Sequence, residues 1–101
     1  MLYCADIEES RKYYELLGVS FAREKHGNGP EHFAGELEGI VLELYPGGGD
    51  EAGSRRTRIG FQIENPTNVM DKLRAAGYET KERDGFYITE DPDGRSVHLT
   101  E

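Results

Sequence analysis

The last strand-like stretch of the sequence, DPDGRSVHLT, places His98 between Val97 and Leu99 just after a tight-turn motif. An imidazole exchanges protons near neutral pH and can act as a general base. Glu43 has a similar setting between two leucines, in LEL. Because side chains alternate along a strand, each polar group lies on the face opposite its hydrophobic neighbours. Glu43 and His98 are therefore the first candidates for catalysis or for orienting a bound molecule.

The elements that position these residues begin with two predicted helices. Asp6 and Glu9 form a capping-box-like pair ahead of helically spaced apolar residues over 7–17. Asn and Pro at 65–66 supply a cap and a preset first turn for a second helix, which Gly77 ends. Each helix has an apolar stripe, so each should pack one face against a sheet.

Strand-like segments around the helices form a repeat. One short run precedes each helix and three follow it, separated by Gly, Asn, Asp or Pro. LEL aligns with VHL at an offset of 55 (98 minus 43), so His98 holds in the second copy the place of Glu43 in the first. Each copy is too small to bury its own sheet face alone. The predicted strands span residues 2–5, 19–24, 31–37, 39–45, 58–63, 78–82, 86–89 and 95–100.

Composition restricts the classes of function. Twelve basic against twenty acidic residues give a net charge of −8, which argues against a nucleic-acid partner. No apolar run has the length of a membrane span and no signal peptide is indicated, so we expect a cytoplasmic protein without a membrane partner. The single cysteine, Cys4, is expected to be buried and structural. The glycine-rich stretch PGGGDEAGS, at 46–54, is interpreted as a flexible linker.

Four motifs stand in a characteristic order: DIEESRKYYELLGV, GIVLELYP, RIGFQIENPTNVMDKLRAAGYE and DPDGRSVHLTE. In this order and spacing the chain resembles the vicinal oxygen chelate superfamily, which contains glyoxalase I, extradiol dioxygenases and bleomycin-resistance proteins. The resemblance implies an α+β fold of two βαβββ modules, with curled mixed sheets around a cleft. We expect one domain over 1–101, with module one at about 1–46, a linker at about 47–56 and module two at about 57–101.

The resemblance also implies where a metal would bind. Superfamily metal sites take one ligand from the first strand and one from the last strand of each module. The last-strand positions fall on Glu43 and His98, both able to bind a divalent metal. The first-strand position of module two falls on Arg58, a permanent cation, and that of module one would precede Met1. We therefore expect no cofactor, with a divalent metal at Glu43 and His98 as the alternative.

Strand alternation adds candidates for a ligand site. If Glu43 and His98 face the cleft, the residues two positions away on their strands face it too, as do alternate residues of the neighbouring strand. His32 could face the cleft or lie on its rim. Phe86 and Tyr87 are neighbours on one strand, so only one of them can face a ligand. The predicted ligand-binding residues are His32, Tyr45, Arg58, Gln62 and Tyr87.

Two functions follow from these candidates. The favoured one is a small-molecule binding protein of the glyoxalase and bleomycin-resistance type, with the usual metal site incomplete and a small aromatic or amphipathic ligand. The alternative is a metal-dependent lyase, isomerase or dioxygenase of the same superfamily. In either function, the Glu43 carboxylate and the His98 imidazole would form a pair. This pair would act as a general base or would orient a bound molecule. Open sheet edges also predict a homodimer. A ferredoxin-like regulatory domain fits poorly, since three strands follow each helix.

Overall fold

A computed structural model describes residues 1–47 and 57–101 of the chain. The chain divides into two compact units, Met1–Asp50 and Glu51–Glu101. The predicted linker at 47–56, apart from Gly47, lies outside the described residues. In the described part of the chain, neither helix is long and apolar enough to cross a membrane.

Unit one combines one helix with a four-stranded mixed sheet. The strand order is β1-β4-β3-β2, with β1 parallel to β4 and the other pairs antiparallel. The helix is inserted between the first two strands along the chain. The elements are β1 (Leu2–Cys4), α1 (Ile7–Leu17), β2 (Ser20–Glu24), β3 (His32–Leu37) and β4 (Ile40–Pro46).

Unit two repeats this topology. Its strand order is β5-β8-β7-β6, and β5 runs parallel to β8. The elements are β5 (Arg58–Gln62), α2 (Pro66–Ala75), β6 (Thr80–Arg83), β7 (Phe86–Glu90) and β8 (Ser96–Thr100). The predicted α+β class with two βαβββ units is thereby confirmed, and the described elements start and end within two residues of the predicted ones.

The helix ends show which local signals were correct. The Asp6 carboxylate caps α1, accepting hydrogen bonds from the backbone N–H groups of Glu8 at 3.0 Å and Glu9 at 3.3 Å. The cap predicted for Asn65 is wrong in its chemistry. Asn65 adopts a left-handed conformation, with φ 52° and ψ 56°, and its side chain makes no capping hydrogen bond. A capping side chain works from an extended backbone, so Pro66 alone supplies the preset first turn.

Each sheet buries one face and presents polar groups on the other. In unit one, Phe33 is in register with Leu44, and both are buried on the side that packs on α1. In unit two, Val97 and Leu99 are fully buried. The buried Cys4 agrees with its expected structural role. The apolar core residues are Cys4, Tyr13, Tyr14, Leu17, Val19, Phe33, Leu42 and Leu44 of unit one, and Phe61, Ile63, Val69, Met70, Leu73, Val97 and Leu99 of unit two.

Glu43 and His98 hold equivalent places in their own sheets. In unit one, Tyr3 lies three positions before Asp6, the residue that precedes α1, and pairs with Tyr45. In unit two, Gln62 lies three positions before Asn65, the residue that precedes α2, and pairs with Thr100. Glu43 and His98 each precede the partner in their own unit by two residues, so both lie on the helix-free face of their sheet. The alignment of LEL with VHL is therefore confirmed by the strand registers.

A buried ion pair holds the turn that precedes β8. The Asp91 carboxylate accepts hydrogen bonds from the backbone N–H groups of Asp93 and Arg95, both at 2.9 Å, and from the Arg95 guanidinium at 3.0 Å. The two side chains are 0% and 5% exposed. Gly94 has φ 86°, a conformation that glycine adopts without strain. The DPDG motif thus forms the predicted turn and sets the start of the strand that carries His98.

Candidate functional site

His32 is a buried polar group on the helix-free face of unit one. It begins β3 and is only 2% exposed. Its Nδ1 lies 3.3 Å from the backbone oxygen of Pro30. Because a carbonyl oxygen can only accept, this hydrogen bond places a proton on Nδ1. In the neutral ring, Nε2 then carries the lone pair.

The structure brings His32 together with two other predicted residues, Glu43 and Tyr45. The Tyr45 ring stacks on the imidazole, with centroids 4.2 Å apart and planes 10° from parallel. The Tyr45 hydroxyl lies 3.4 Å from His32 Nε2 and 3.4 Å from the Glu43 carboxylate. His32 Nε2 is 3.8 Å from the same carboxylate. The three side chains form one polar cluster.

The protonation of Tyr45 follows from these contacts. Burial raises the pKa of the Tyr45 phenol, and the negative charge of Glu43 raises it further. The phenol is therefore neutral at neutral pH and serves as a hydrogen-bond donor. Its two acceptors within reach are the Glu43 carboxylate and the unprotonated nitrogen of His32.

Sequence reasoning missed two residues next to this cluster, Glu24 and His26. The Glu24 carboxylate lies 3.3 Å from His26 Nε2 and 3.5 Å from His32 Nε2. Glu24 is the direct cross-strand partner of His32. That register could have been inferred from the hairpin around the turn at 25–31, since both residues flank it. No spacing rule would have identified His26, whose side chain is 76% exposed.

His98 occupies the corresponding face of unit two. Its Nε2 lies 3.1 Å from the Ser96 hydroxyl, and its ring stacks on Phe86 with centroids 5.4 Å apart and planes 20° from parallel. Its partner in the ladder is Gly60. A Cβ placed on Gly60 would meet no atom within 4 Å, so there is open space beside the imidazole.

Arg58 and Gln62 lie on the same face as His98. They pair with Ser96 and Thr100, the residues two positions before and after the histidine. Burial lowers the pKa of His98, and the nearby positive charge of Arg58 lowers it further. The imidazole is therefore neutral at neutral pH, so it can accept a proton or a hydrogen bond.

Tyr87 is placed differently from these residues. It is in register with the buried Leu99, on the helix-bearing side of the sheet, while its neighbour Phe86 contacts His98. The structure therefore puts Phe86, and not Tyr87, beside the candidate site of unit two. Ligand binding by Tyr87 stays a prediction.

The helix-free faces of the two sheets differ in charge. On the described strands of unit one, that face carries three carboxylates and no lysine or arginine: Glu24, Glu36 and Glu43. In unit two it carries three cations, Arg58, Lys81 and Arg83, with one carboxylate, Glu90. Lys81 and Arg83 also line a recess of about 450 Å³ along β6. Unit two is thus the better surface for an anionic group, and unit one for a cation.

The metal role implied for Glu43 and His98 can be tested only in part. It joins residues of both units and stays a prediction. Within unit two the surroundings do not fit a cation, because Arg58 is a permanent positive charge that already opposes protonation of His98.

A scan against protein-family models and a search of curated proteins gave no match. Solved structures do match. A protein from Bacillus cereus described as a possible glyoxalase has a TM-score of 0.74 at 17% identity, covering 99% of this chain and 93% of its own. The trypanothione-dependent glyoxalase I of Leishmania major has a TM-score of 0.73 at 18% identity, covering 100% of this chain and 82% of its own.

A bleomycin-binding protein in complex with bleomycin also matches. Its TM-score is 0.70 at 16% identity, and the match covers 97% of this chain and 91% of that protein. At these identities the likeness shows the fold alone. The chain therefore has the fold of the vicinal oxygen chelate proteins that its sequence motifs resemble.

Proposed function

We propose that this chain, which has the vicinal oxygen chelate fold, binds a small amphipathic molecule with an aromatic part. One observation carries the proposal. On the helix-free face of each sheet, an imidazole stacks on an aromatic ring beside charged groups: His32 with Tyr45, and His98 with Phe86. Such a surface offers flat apolar contacts together with a few oriented polar groups, which is the usual make-up of a ligand site.

The helix-free face of unit two would bind an anionic or acceptor group. Arg58 can form charge-assisted hydrogen bonds with a carboxylate or phosphate. Neutral His98 adds a hydrogen bond, and Gln62 lies on the same face with both donor and acceptor atoms. The open space beside Gly60 leaves room for a ligand ring next to the imidazole. Binding at this surface therefore favours an aromatic acid over an aromatic amine.

The helix-free face of unit one would bind a cationic or donor group. The Glu43 carboxylate is 35% exposed and already accepts from the Tyr45 hydroxyl. The paired aromatic and imidazole rings present a flat edge beside it. In this assignment Glu43 in unit one and His98 in unit two each orient a ligand group on their own face, and each can accept a proton.

The experiment is titration calorimetry with bleomycin and three aromatic probes, bearing a carboxylate, an amine, or both. We expect saturable binding of at least the amphoteric probe, with Arg58→Gln weakening acids and Glu43→Gln weakening amines. The absence of saturable binding for all four compounds would refute the proposal.

A steric variant makes the test independent of charge. Gly60→Leu fills the open space beside His98 without meeting neighbouring atoms at its Cβ. It should abolish binding while leaving the unfolding midpoint nearly unchanged. Thr67→Leu introduces the same side chain at an exposed position of α2 and should leave binding intact. Equal affinity of the two variants would place the ligand elsewhere.

The alternative function is a metal-dependent lyase, isomerase or dioxygenase. Its support is the group Glu24, His26 and His32, whose side chains could hold an ion. Turnover of a superfamily-type substrate that depends on added metal would favour it over simple binding.

A further inference from the structure

We propose that Glu24, His26 and His32 form a binding site for a divalent transition metal of the zinc type, at the turn end of the β2–β3 hairpin. Each side chain offers one ligand atom, and these atoms lie within 4.8 Å of one another. The site shares no residue with the superfamily positions Glu43 and His98. It goes beyond the binding of an organic molecule proposed above.

The separations fit tetrahedral coordination. Ligand atoms about 2.0–2.2 Å from a zinc ion, at the corners of a tetrahedron, are about 3.3–3.6 Å from one another. Glu24 Oε2 is 3.3 Å from His26 Nε2 and 3.5 Å from His32 Nε2. The His26 side chain is 76% exposed, so it can adjust the third separation by rotating about its own bonds. The Glu24–His32 spacing is therefore in place before an ion binds, and His26 can adjust to it.

His32 is already oriented as a ligand. Its Nδ1 donates to the Pro30 carbonyl, which leaves the Nε2 lone pair directed toward Glu24. Metal-bound histidines commonly have this arrangement, in which the second ring nitrogen is fixed by an outer acceptor. Burial to 2% exposure and stacking on Tyr45 hold the ring in place.

The charge of the surrounding face favours a cation. Glu24, Glu36 and Glu43 share it, and no lysine or arginine lies on it among the described strand residues. Glu43 Oε2, 3.8 Å from His32 Nε2, adds negative charge beside the three ligand atoms, and water would fill the fourth coordination position. Two imidazoles with a carboxylate suit zinc, nickel or cobalt, whereas calcium and magnesium prefer oxygen ligands.

The test is titration of the full, chelator-stripped chain with Zn²⁺ by calorimetry and with Co²⁺ by visible absorption. We expect one ion per chain and a tetrahedral cobalt spectrum. His26→Gln and Glu24→Gln should each weaken binding by about tenfold or more. His26→Gln is informative because the residue is exposed, so the core is untouched. Glu36→Gln removes the same charge as Glu24→Gln from the same face and should bind normally.

Three results would overturn the site: no saturable binding by the wild-type chain, binding unchanged in both His26→Gln and Glu24→Gln, or binding lost in His98→Gln but retained in His26→Gln. The last would place the ion at the superfamily positions instead. Calorimetry with the aromatic probes on the same variants keeps the two proposals separate. His26→Gln should lose metal but keep probe binding, and Gly60→Leu should do the reverse.

Discussion

Tyr45 lies flat against His32, 4.2 Å away between ring centroids and 10° from parallel, and its hydroxyl is 3.4 Å from the Glu43 carboxylate. One side chain therefore fixes both the plane of the buried imidazole and the position of the nearest acid. This contact makes the polar cluster of unit one a single structural group, because none of the three side chains can move without disturbing the others.

Two substitutions at Tyr45 distinguish the contribution of its ring to stability from that of its hydroxyl. Tyr45→Phe keeps the stacking and removes two long hydrogen bonds, so the free energy of unfolding should fall by about 0.5–1.5 kcal/mol at most. Tyr45→Leu also removes the aromatic contact and should cost about a further 0.5–1.5 kcal/mol. Urea unfolding measures both. Equal stabilities for the two variants would mean that the stacking contributes nothing.

Arg58 should contribute to the lowered pKa of His98. Burial is the larger cause of that lowering and the positive charge of Arg58 the smaller one, so Arg58→Gln should raise the pKa part of the way toward its ordinary value. Proton NMR of the imidazole across the pH range gives the measurement. Arg74→Gln removes the same charge from an exposed position on α2 and should leave the His98 titration unchanged. An unshifted His98 in Arg58→Gln would show that burial alone lowers its pKa.

The same lowered pKa predicts how stability depends on pH. The folded chain binds a proton at His98 less readily than the unfolded chain does, so protonation favours unfolding. The contribution of His98 is fully present above the unfolded pKa of about 6.5. It is lost as pH falls from there through the lower folded value. His98→Gln should therefore lose less stability than wild type between neutral and mildly acidic pH, measured by urea unfolding.

Asp91 should be critical for stability although it is not itself a candidate ligand group. Asp91→Ala removes the nearer, fully buried partner of the Arg95 guanidinium, leaving the Asp93 carboxylate at 3.5 Å, and it removes the side-chain acceptor of two backbone N–H groups. We expect a loss of about 3–5 kcal/mol in the free energy of unfolding. Asp71→Ala breaks the exposed pair with Arg74 and should cost less than about 1 kcal/mol. Similar losses of unfolding free energy in Asp91→Ala and Asp71→Ala would contradict a special role of the buried pair.

The pairing of Glu43 with His98 in one ligand site is still a prediction. A double-mutant cycle with Glu43→Gln and His98→Gln, measured as probe affinity, tests it. If the residues act on one ligand together, the double variant should lose less than the sum of the single losses. Strict additivity would show that they act independently.

A homodimer is expected from the edges and exposed apolar groups of the sheets. Tyr3, Ile40 and Val41 are 54%, 42% and 64% exposed, which is much for residues of their type in one small unit. A second copy could cover them. Light scattering at micromolar concentration should give twice the chain mass, and a monomeric mass would count against this expectation.

The fold was largely predictable from the sequence because its signals are local. Apolar spacing, Asp6 as a cap and glycine stops defined the helices, and turn residues separated the strands. Alternation then gave the correct faces for Glu43 and His98. The cap at Asn65 failed because its left-handed backbone depends on the loop before α2, which a residue type does not reveal.

The candidate sites were less predictable because their contacts cross strands. His26 reaches Glu24 through the shape of a turn, and the burial of His32 depends on Tyr45, thirteen positions away. Phe86 and Tyr87 are both aromatic, so the pattern of β7 alone could not decide which faces His98. Register settles such choices, and register follows from the completed sheet.

The parallel pairing in each sheet has a consequence for the order of folding. Gly60 pairs with His98 across 38 positions (98 minus 60), whereas Arg83 pairs with Phe86 across three (86 minus 83). Closing the longer loop costs more chain entropy, so local hairpins form sooner than the parallel pairs. In unit one, the parallel pair of Tyr3 and Tyr45 has a similar sequence separation, 42 positions (45 minus 3). In unit two, the proposed surface that brings Arg58 and Gln62 beside His98 should therefore be assembled last. The cluster of His32, Glu43 and Tyr45 lies on the local β3–β4 hairpin and should form earlier, so binding that depends on Arg58 should appear only in a late folding step.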